Sequence, residues 1–324
     1  MIYQPKVTII IPVYNGSNFL TEAIESALAQ TYPHCEILVI NDGSCDDGAS
    51  ERIAKSYGNR ITYFRKENGG VSTALNFAFT RMSGEWFSWL SHDDLYYPQK
   101  IERQVAFLNE LLEKKPGIDL TKITVRSATE SIDRDGRIIK KPSYRDVATL
   151  ESTIDTIIGN VFNYRLSGCS FLLPAACVND VGGFAEHIRT VSDVEYWYRL
   201  LFAGYQFYCL SNDVLVKNRS HGKQVGKTKV TLFDQELCDL FMWIADKMNE
   251  NCDFGTRRNN ERLYCAFVKR GCMPAANYVK LRYLTYVDSS NFYRAKLRIY
   301  KCMFGIVGNM RNVARFCFRK LFVK

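Results

Sequence analysis

The thirteen residues Trp86-Phe-Ser-Trp-Leu-Ser-His-Asp-Asp-Leu-Tyr-Tyr-Pro98 constrain the fold more than any other stretch of the chain. Trp86 to Leu90 are aromatic or apolar apart from Ser88, which suits a strand covered on both faces of a parallel sheet. Two adjacent carboxylates, Asp93 and Asp94, follow where such a strand ends, and a helix opened by Pro98 comes next. In open α/β sheets ligands sit in the crevice beyond the carboxyl ends of the strands, so chemistry is expected here. Paired carboxylates beside a hydroxyl, with no thiolate, suit a hard divalent cation such as Mg²⁺ or Mn²⁺ bound together with substrate phosphates. Taken alone, the same residues also read as a surface turn, with Asp94 favouring the start of the next helix.

The rest of the N-terminal half repeats this grammar. Val7-Thr-Ile-Ile-Ile-Pro-Val13 is a β-branched run that stops at Tyr14-Asn15-Gly16. From Ser17 onward Phe19, Leu20, Ala23, Ile24, Ala27 and Leu28 recur at the spacing of one helix face. Glu36 to Ile40 is a second strand, closed by Asn41-Asp-Gly-Ser44. A polar helix to Tyr57, a strand at 61–64, the turn Asn68-Gly-Gly70 and a helix at 72–81 lead into the Trp86 strand. Strands alternating with helices of about ten residues mark βαβ units and a parallel sheet. Each strand ends in small or acidic polar residues. Turn chemistry accounts for any one such end, and a shared ligand accounts better for four along one rim. No GxGxxG follows the first strand and no GxxxxGK[ST] occurs, which argues against dinucleotide and P-loop sites. The rim offers Asp42 to read a base or ribose and Asp93 to hold a cation on a diphosphate.

Composition narrows the setting. The chain has 324 residues, 47% of them hydrophobic, enough for one large α/β domain with an appendage. Its eleven cysteines are scattered without a CxxC pair, and no secretory leader is evident after Met1. Reduced thiols in a cytosolic compartment are therefore expected. No uncharged apolar stretch reaches the length of a membrane span. The net charge is +9, and residues 289–324 carry nine Lys or Arg with no Asp or Glu, so the remainder of the chain is formally neutral.

The ordered motifs Val7 to Asn15, Gln30-Thr-Tyr-Pro33, Glu36 to Ser44, Asn68-Gly-Gly70, and Leu90-Ser-His-Asp-Asp94 with Pro98 resemble family 2 glycosyltransferases of the GT-A fold. The match continues through Val181-Gly-Gly-Phe184 and Ser192-Asp-Val-Glu-Tyr-Trp-Tyr-Arg-Leu200, and covers residues 5 to about 220. The resemblance implies a Rossmann-like, mainly parallel sheet flanked by helices and an inverting, metal-dependent hexosyl transfer from a nucleotide donor, with UDP-hexose the expected one. It implies that Asp42 binds the nucleotide base, that Pro12, Tyr14 and Asn15 form the first nucleotide loop, and that Asn68 and Gly70 close over the nucleoside. Asp93 would then hold Mn²⁺ or Mg²⁺, with Ser91 and His92 beside the donor phosphates and Asp94 in support. Asp193 matches the catalytic base, and Arg199 the arginine six residues on. Two positions depart from the family pattern. Ser91 replaces the first acid of D-x-D, leaving the metal to the diphosphate, water and few protein charges. Ser192 replaces the Glu that usually precedes the base.

The chemistry agrees with that assignment. An attacking hydroxyl must lose a proton to a base, and a departing nucleoside diphosphate needs its charge stabilised. His34, His92, His187 and His221 show no zinc spacing. Residues 116–225 are expected to form the acceptor and base half, after a nucleotide-sugar half at 1–115. Within the second half Asp133 to Gly136 reads as a hairpin turn, while Asp155, Asn160 and Asn163 are open to acceptor contact or plain surface exposure. A strand at 168–173 returns towards the site, and Glu195 reads as a solvated neighbour of Asp193. From 226 to 324 the pattern is helical, with Val230, Phe233, Leu237, Leu240, Phe241, Ile244 and Met248 as a core stripe. The basic amphipathic segment 289–324 reads as lying on an anionic membrane surface or as a helix packed on the catalytic domain with its basic face in water; the first would place the protein on the inner face of the membrane and its acceptor among glycans or lipid-linked glycans of surface polysaccharide or glycoconjugate synthesis. No recognition motif supports nucleic-acid binding. Two other readings stay open at this level: a nucleotide-sugar-binding protein without turnover, and a nucleotidyltransferase on a related sheet.

Overall fold

The computed structural model describes residues 2–141, 153–163, 167–222, 228–250 and 254–284. The basic segment 289–324 lies outside the described residues, and of Asn160 and Asn163 only the helical backbone is described. Two compact units emerge, one formed by Met1–Ile157 with Arg165–Leu237, the other by Ile158–Tyr164 with Cys238–Lys324.

The first unit is built on one sheet. Strand β1 (Val7–Val13) is buried at every residue and lies between β2 (Cys35–Asp42) and β4 (Trp86–Trp89), parallel to both, with β3 (Thr62–Lys66) parallel beyond β2. A strand covered on both faces needs apolar side chains at every position, as β1 has, where a half-exposed strand would alternate. Helices α1 (Leu20–Leu28), α2 (Ala49–Ser56) and α3 (Val71–Phe79) supply the crossovers, and α4 (Lys100–Lys114) follows the acidic turn. Beyond β4 the sheet becomes mixed. β8 (Phe171–Pro174) runs antiparallel to β4, then come β6 (Ile123–Ile132), β9 (Gln206–Arg219) and the short β5 (Leu95–Tyr96), with β7 (Ile138–Lys140) hairpinned on β6. The expected hairpin turn is present, with Gly136 N–H donating to the Asp133 carbonyl. Helices α5 (Thr153–Asn163), α6 (Ala176–Val181) and α7 (Ser192–Phe202) complete the elements before β9.

Pro12 in a central strand requires an explanation, because it has no N–H for the ladder. The carbonyls of Lys6 and Ile10 accept from Trp86 and Leu90, so even-numbered residues of β1 face β4. β4 ends at Trp89, and Pro12 therefore faces a place the neighbouring strand has already left.

α8 (Val230–Glu250) has its residues from Cys238 onward in the second unit, which also holds α9 (Arg257–Arg270) and α10 (Met273–Tyr283). Gly271, with φ 76°, ends α9 as a left-handed cap. Leu237, Leu240, Phe241, Ile244 and Met248 are buried as the helical spacing predicts, whereas Phe233 is half-buried and Val230, about two turns before Leu237, is exposed. Cys238 and Cys272 are brought together across 34 residues, with Cα atoms 6.2 Å apart, a spacing at which a disulfide can form. That proximity is tertiary, so sequence spacing carried no sign of it.

Candidate active site at the carboxyl rim of the sheet

Three loops meet at the carboxyl ends of β1, β2 and β3. Asn15 sits at φ 49°, a conformation Asn tolerates better than most residues. Its backbone N–H donates to Ser44 Oγ at 2.9 Å, its Oδ1 accepts from Cys45 N–H at 2.8 Å and its Nδ2 donates to Cys45 Sγ at 3.4 Å. The first loop is thereby stapled to the second, leaving Tyr14 exposed above them. Asp42, only 3% exposed, is the hub of the second and third loops. It accepts from Lys66 Nζ (2.7 Å), Asn68 Nδ2 (3.2 Å), Gly69 N–H (3.1 Å) and Gly70 N–H (2.7 Å). These four partners make the carboxylate fix the backbone that surrounds it. Gly43 makes this close approach feasible: its φ is 69° and a Cβ there would sit 2.6 Å from the Asn68 nitrogen.

The acidic turn is held from below. Leu90 N–H donates to the Ile10 carbonyl and Asp94 N–H to the Ser91 carbonyl. The Cys169 thiol lies against Ser91 Oγ (3.4 Å) and Asp94 Oδ2 (3.2 Å), and Asp94 also accepts the Arg219 N–H at 2.8 Å. Burial, with the adjacent Asp93 charge adding to it, pushes the Asp94 carboxyl up to about 7. His92 packs inward: a Cβ on Gly16 would lie 2.3 Å from its ring, and the imidazole hydrogen-bonds the Pro12 backbone. It thus takes the place of the missing strand opposite Pro12, and burial lowers its pKa. The sequence expectation put His92 beside donor phosphate, whereas its visible contacts are those of a loop support.

Asp93 remains partly exposed, and its Oδ2 lies 2.9 Å from Nε2 of His221. The sequence reading missed His221, because it lies 128 residues on in the chain, two positions past the end of β9. A carboxylate oxygen and an imidazole nitrogen are a donor set suited to Mn²⁺ and related divalent ions. No group of three or more His, Cys, Asp or Glu among the described residues is placed to hold a metal alone.

Asp193 occupies the first turn of α7, half-buried, its Oδ1 accepting the Val194 N–H at 2.8 Å. A helix N-terminus favours the charged form, yet desolvation prevails and raises the carboxyl to about 6. Arg199, one of the residues expected to support the site, donates to both Glu195 oxygens (2.6 and 3.0 Å) and to the carbonyls of Val181 and Gly183. Glu195 is therefore a buried ion-pair partner; the expectation of a solvated neighbour is corrected. An aromatic chain ties α7 to the acidic turn: Tyr196 stacks on Phe184 at 4.2 Å, and Phe184 meets Trp89, two residues before Ser91, edge-on at 5.9 Å.

Residues 8–137 match the sequence model of the glycosyl transferase family 2. An uncharacterised glycosyltransferase of Rickettsia felis is 42% identical over 252 residues, covering 77% of this chain and 40% of that protein. One from Rickettsia typhi is 40% identical over 235 residues, covering 72% of this chain and 70% of that protein. The chain thus spans about two fifths of the first relative's length and over two thirds of the second's. Among solved structures, Staphylococcus aureus TarS 1–349 in complex with UDP superposes with a TM-score of 0.62 at 19% identity, over 86% of this chain and 75% of that one. The mannosyltransferase PcManGT of Pyrobaculum calidifontis, in complex with GDP-Man and Mn²⁺, gives 0.54 at 15% identity, over 97% of this chain and 83% of that one. These likenesses establish the GT-A architecture.

Proposed function

The chain belongs to glycosyl transferase family 2, and on that footing we propose that it moves a hexose from a nucleoside diphosphate donor, UDP-hexose in the first instance, to a hydroxyl of a glycan or lipid-linked glycan acceptor with inversion at the anomeric carbon. The observation that carries the reading is the pairing of Asp93 with His221 at the end of β4, on the rim where Tyr14, Asn15 and the Asp42-ordered loop converge. Asp93 and His221 would hold a divalent cation, Mn²⁺ or Mg²⁺, which when bound neutralises charge on the departing diphosphate. A Mn²⁺ complex of the structurally similar PcManGT supports that choice of ion.

Asp193 is the base. It accepts the proton of the acceptor hydroxyl as that oxygen bonds to the anomeric carbon and the bond to the donor phosphate breaks, the electron pair leaving with the diphosphate. Its raised pKa keeps the proton affinity near working pH, where a general base contributes about 10² to 10⁴ in rate. Asn68 and Gly70, held by Asp42, would close over the nucleoside. Ser91 would face the diphosphate, and the basic segment 289–324 would bring the protein to an anionic membrane surface where lipid-linked acceptors reside.

Thermal stabilisation by a panel of nucleotide sugars, with and without Mn²⁺, tests the reading. A melting shift for one donor that grows with Mn²⁺, with release of nucleoside diphosphate on incubation, is expected. No shift for any donor, or release of pyrophosphate, contradicts it.

A further inference from the structure

Arg219 ends β9 and is 2% exposed, while Glu22, a carboxylate its guanidinium meets, is half-exposed. Burying a guanidinium is costly unless its donors are all used, and here they are spread over separate parts of the chain. Nε donates to the Asp93 carbonyl at 2.9 Å, Nη1 to the Arg134 carbonyl at 2.7 Å and Nη2 to Glu22 at 2.7 Å. Its own backbone N–H donates to Asp94 Oδ1 at 2.8 Å. The guanidinium plane lies over the Phe19 ring, 4.4 Å from its centroid, and Phe19 in turn packs on the His221 ring at 5.3 Å. One side chain therefore touches α1, the acidic turn and the β6–β7 hairpin. Its contacts converge on both sides of the Asp93–His221 pair.

The geometry has a specific consequence. The Asp93 carbonyl belongs to the peptide plane between Asp93 and Asp94. The Arg219 Nε bond to that carbonyl and the Asp94 N–H bond to the Ser91 carbonyl hold the same peptide unit from both ends, which fixes the backbone from which the Asp93 side chain projects. The Phe19 contact limits the rotation of the His221 ring. We propose that Arg219 is the positioning residue for the Asp93–His221 pair, setting the spacing at which a carboxylate oxygen and an imidazole nitrogen can share a divalent cation with a donor diphosphate. The inference rests on the reading of that pair as the cation site. Lysine cannot replace it, because a single ammonium cannot reach three divergent acceptors as a rigid fork does.

Electron paramagnetic resonance titration of Mn²⁺ in the presence of saturating UDP tests this in Arg219→Lys, with UDP affinity measured separately without metal. Loss of such orienting contacts typically weakens metal binding about 10- to 100-fold. That loss is expected here, with UDP affinity in the absence of Mn²⁺ unchanged. Phe19→Leu leaves Arg219 in place, removes the ring that backs His221, and is expected to weaken Mn²⁺ in the same direction by a smaller factor; it serves should Arg219→Lys not fold. A folded variant that binds Mn²⁺ as the parent does overturns the positioning role alone, as does Phe19→Leu with parental affinity if it is the only folded variant. A parent protein that binds UDP but no Mn²⁺ overturns the cation site itself and the inference with it.

Discussion

A carboxylate that takes a proton near neutral pH needs its affinity raised without being locked away, and Asp193, the proposed base, has both properties. Burial lifts it to about 6 against the pull of the α7 N-terminus, while its recorded bond, from Val194, leaves it room to accept. Turnover is expected to fall below about pH 6 as Asp193 is protonated, and Asp193→Asn to lower kcat by about 10² to 10⁴ while preserving UDP affinity. The raised pKa also carries a stability cost. Between the ordinary carboxyl range and about 6 the folded state binds the extra proton, so stability falls as pH rises through that window. Asp193→Asn should therefore unfold at higher denaturant than the parent near pH 8, with the difference closing near pH 4. Gly43 is the second telling residue. A Cβ there meets the Asn68 nitrogen in a left-handed backbone, so Gly43→Ala is expected to cost about 1 to 3 kcal/mol and to weaken UDP binding, read by chemical denaturation and calorimetry. Cys45 is the third. It is the exposed one among the described free cysteines, its thiol pKa lowered by hydrogen bonds from Asn15 and Tyr14. Peptide mapping after brief iodoacetamide treatment should find Cys45 alkylated before the buried cysteines and protected by UDP; equal labelling with and without UDP would place the nucleotide elsewhere.

At the scale of elements, the strand-and-helix alternation was legible because a strand buried on both faces is apolar at every position, as in Val7–Val13, and because its end is marked by a change to Asn, Asp and Gly. Boundaries moved by a few residues, as at β3, where the apolar stretch stops before the ladder does. What the sequence hid were pairings between distant elements. His221 reaches Asp93 only because β9 pairs with β5, immediately after the acidic turn; Glu195 and Arg199 stand at i,i+4 on α7, so their pairing was legible, but the carbonyls of Val181 and Gly183 that complete the Arg199 site were not. Lys100 was equally invisible. It opens α4 and is wholly buried, its Nζ bonded to Ser88 Oγ (2.8 Å), Gln104 Oε1 (2.9 Å) and the Phe171 carbonyl. Desolvation lowers its amine to about 7. The unfolded chain holds that proton to much higher pH, so stability should rise with pH from about 7 towards 10. Lys100→Met should remove that part of the rise, as measured by denaturation at both ends of the range; an unchanged slope would show that the amine is charged and compensated in the fold.

For the whole molecule, the proposed nucleotide rim, the proposed cation site at Asp93 and the proposed base Asp193 lie in one compact unit, with Trp89, Phe184 and Tyr196 in aromatic contact between the acidic turn and α7. No helix among the described residues is long and apolar enough to cross a membrane, and the proposed bilayer contact is assigned to the basic segment 289–324 by its charge. Removing that segment should abolish sedimentation with anionic liposomes and leave donor hydrolysis intact. Sedimentation that persisted would assign the contact to another surface. The most direct test of the central claim is a crystal structure with an unhydrolysable UDP-hexose and Mn²⁺, using the anomalous signal of the metal. The account predicts a Mn²⁺ peak between Asp93, His221 and the diphosphate, with the Asp193 carboxylate on the far side of the anomeric carbon, within hydrogen-bond reach of an attacking hydroxyl. A metal peak away from Asp93, or an Asp193 carboxylate in a cavity separate from the sugar, would contradict it.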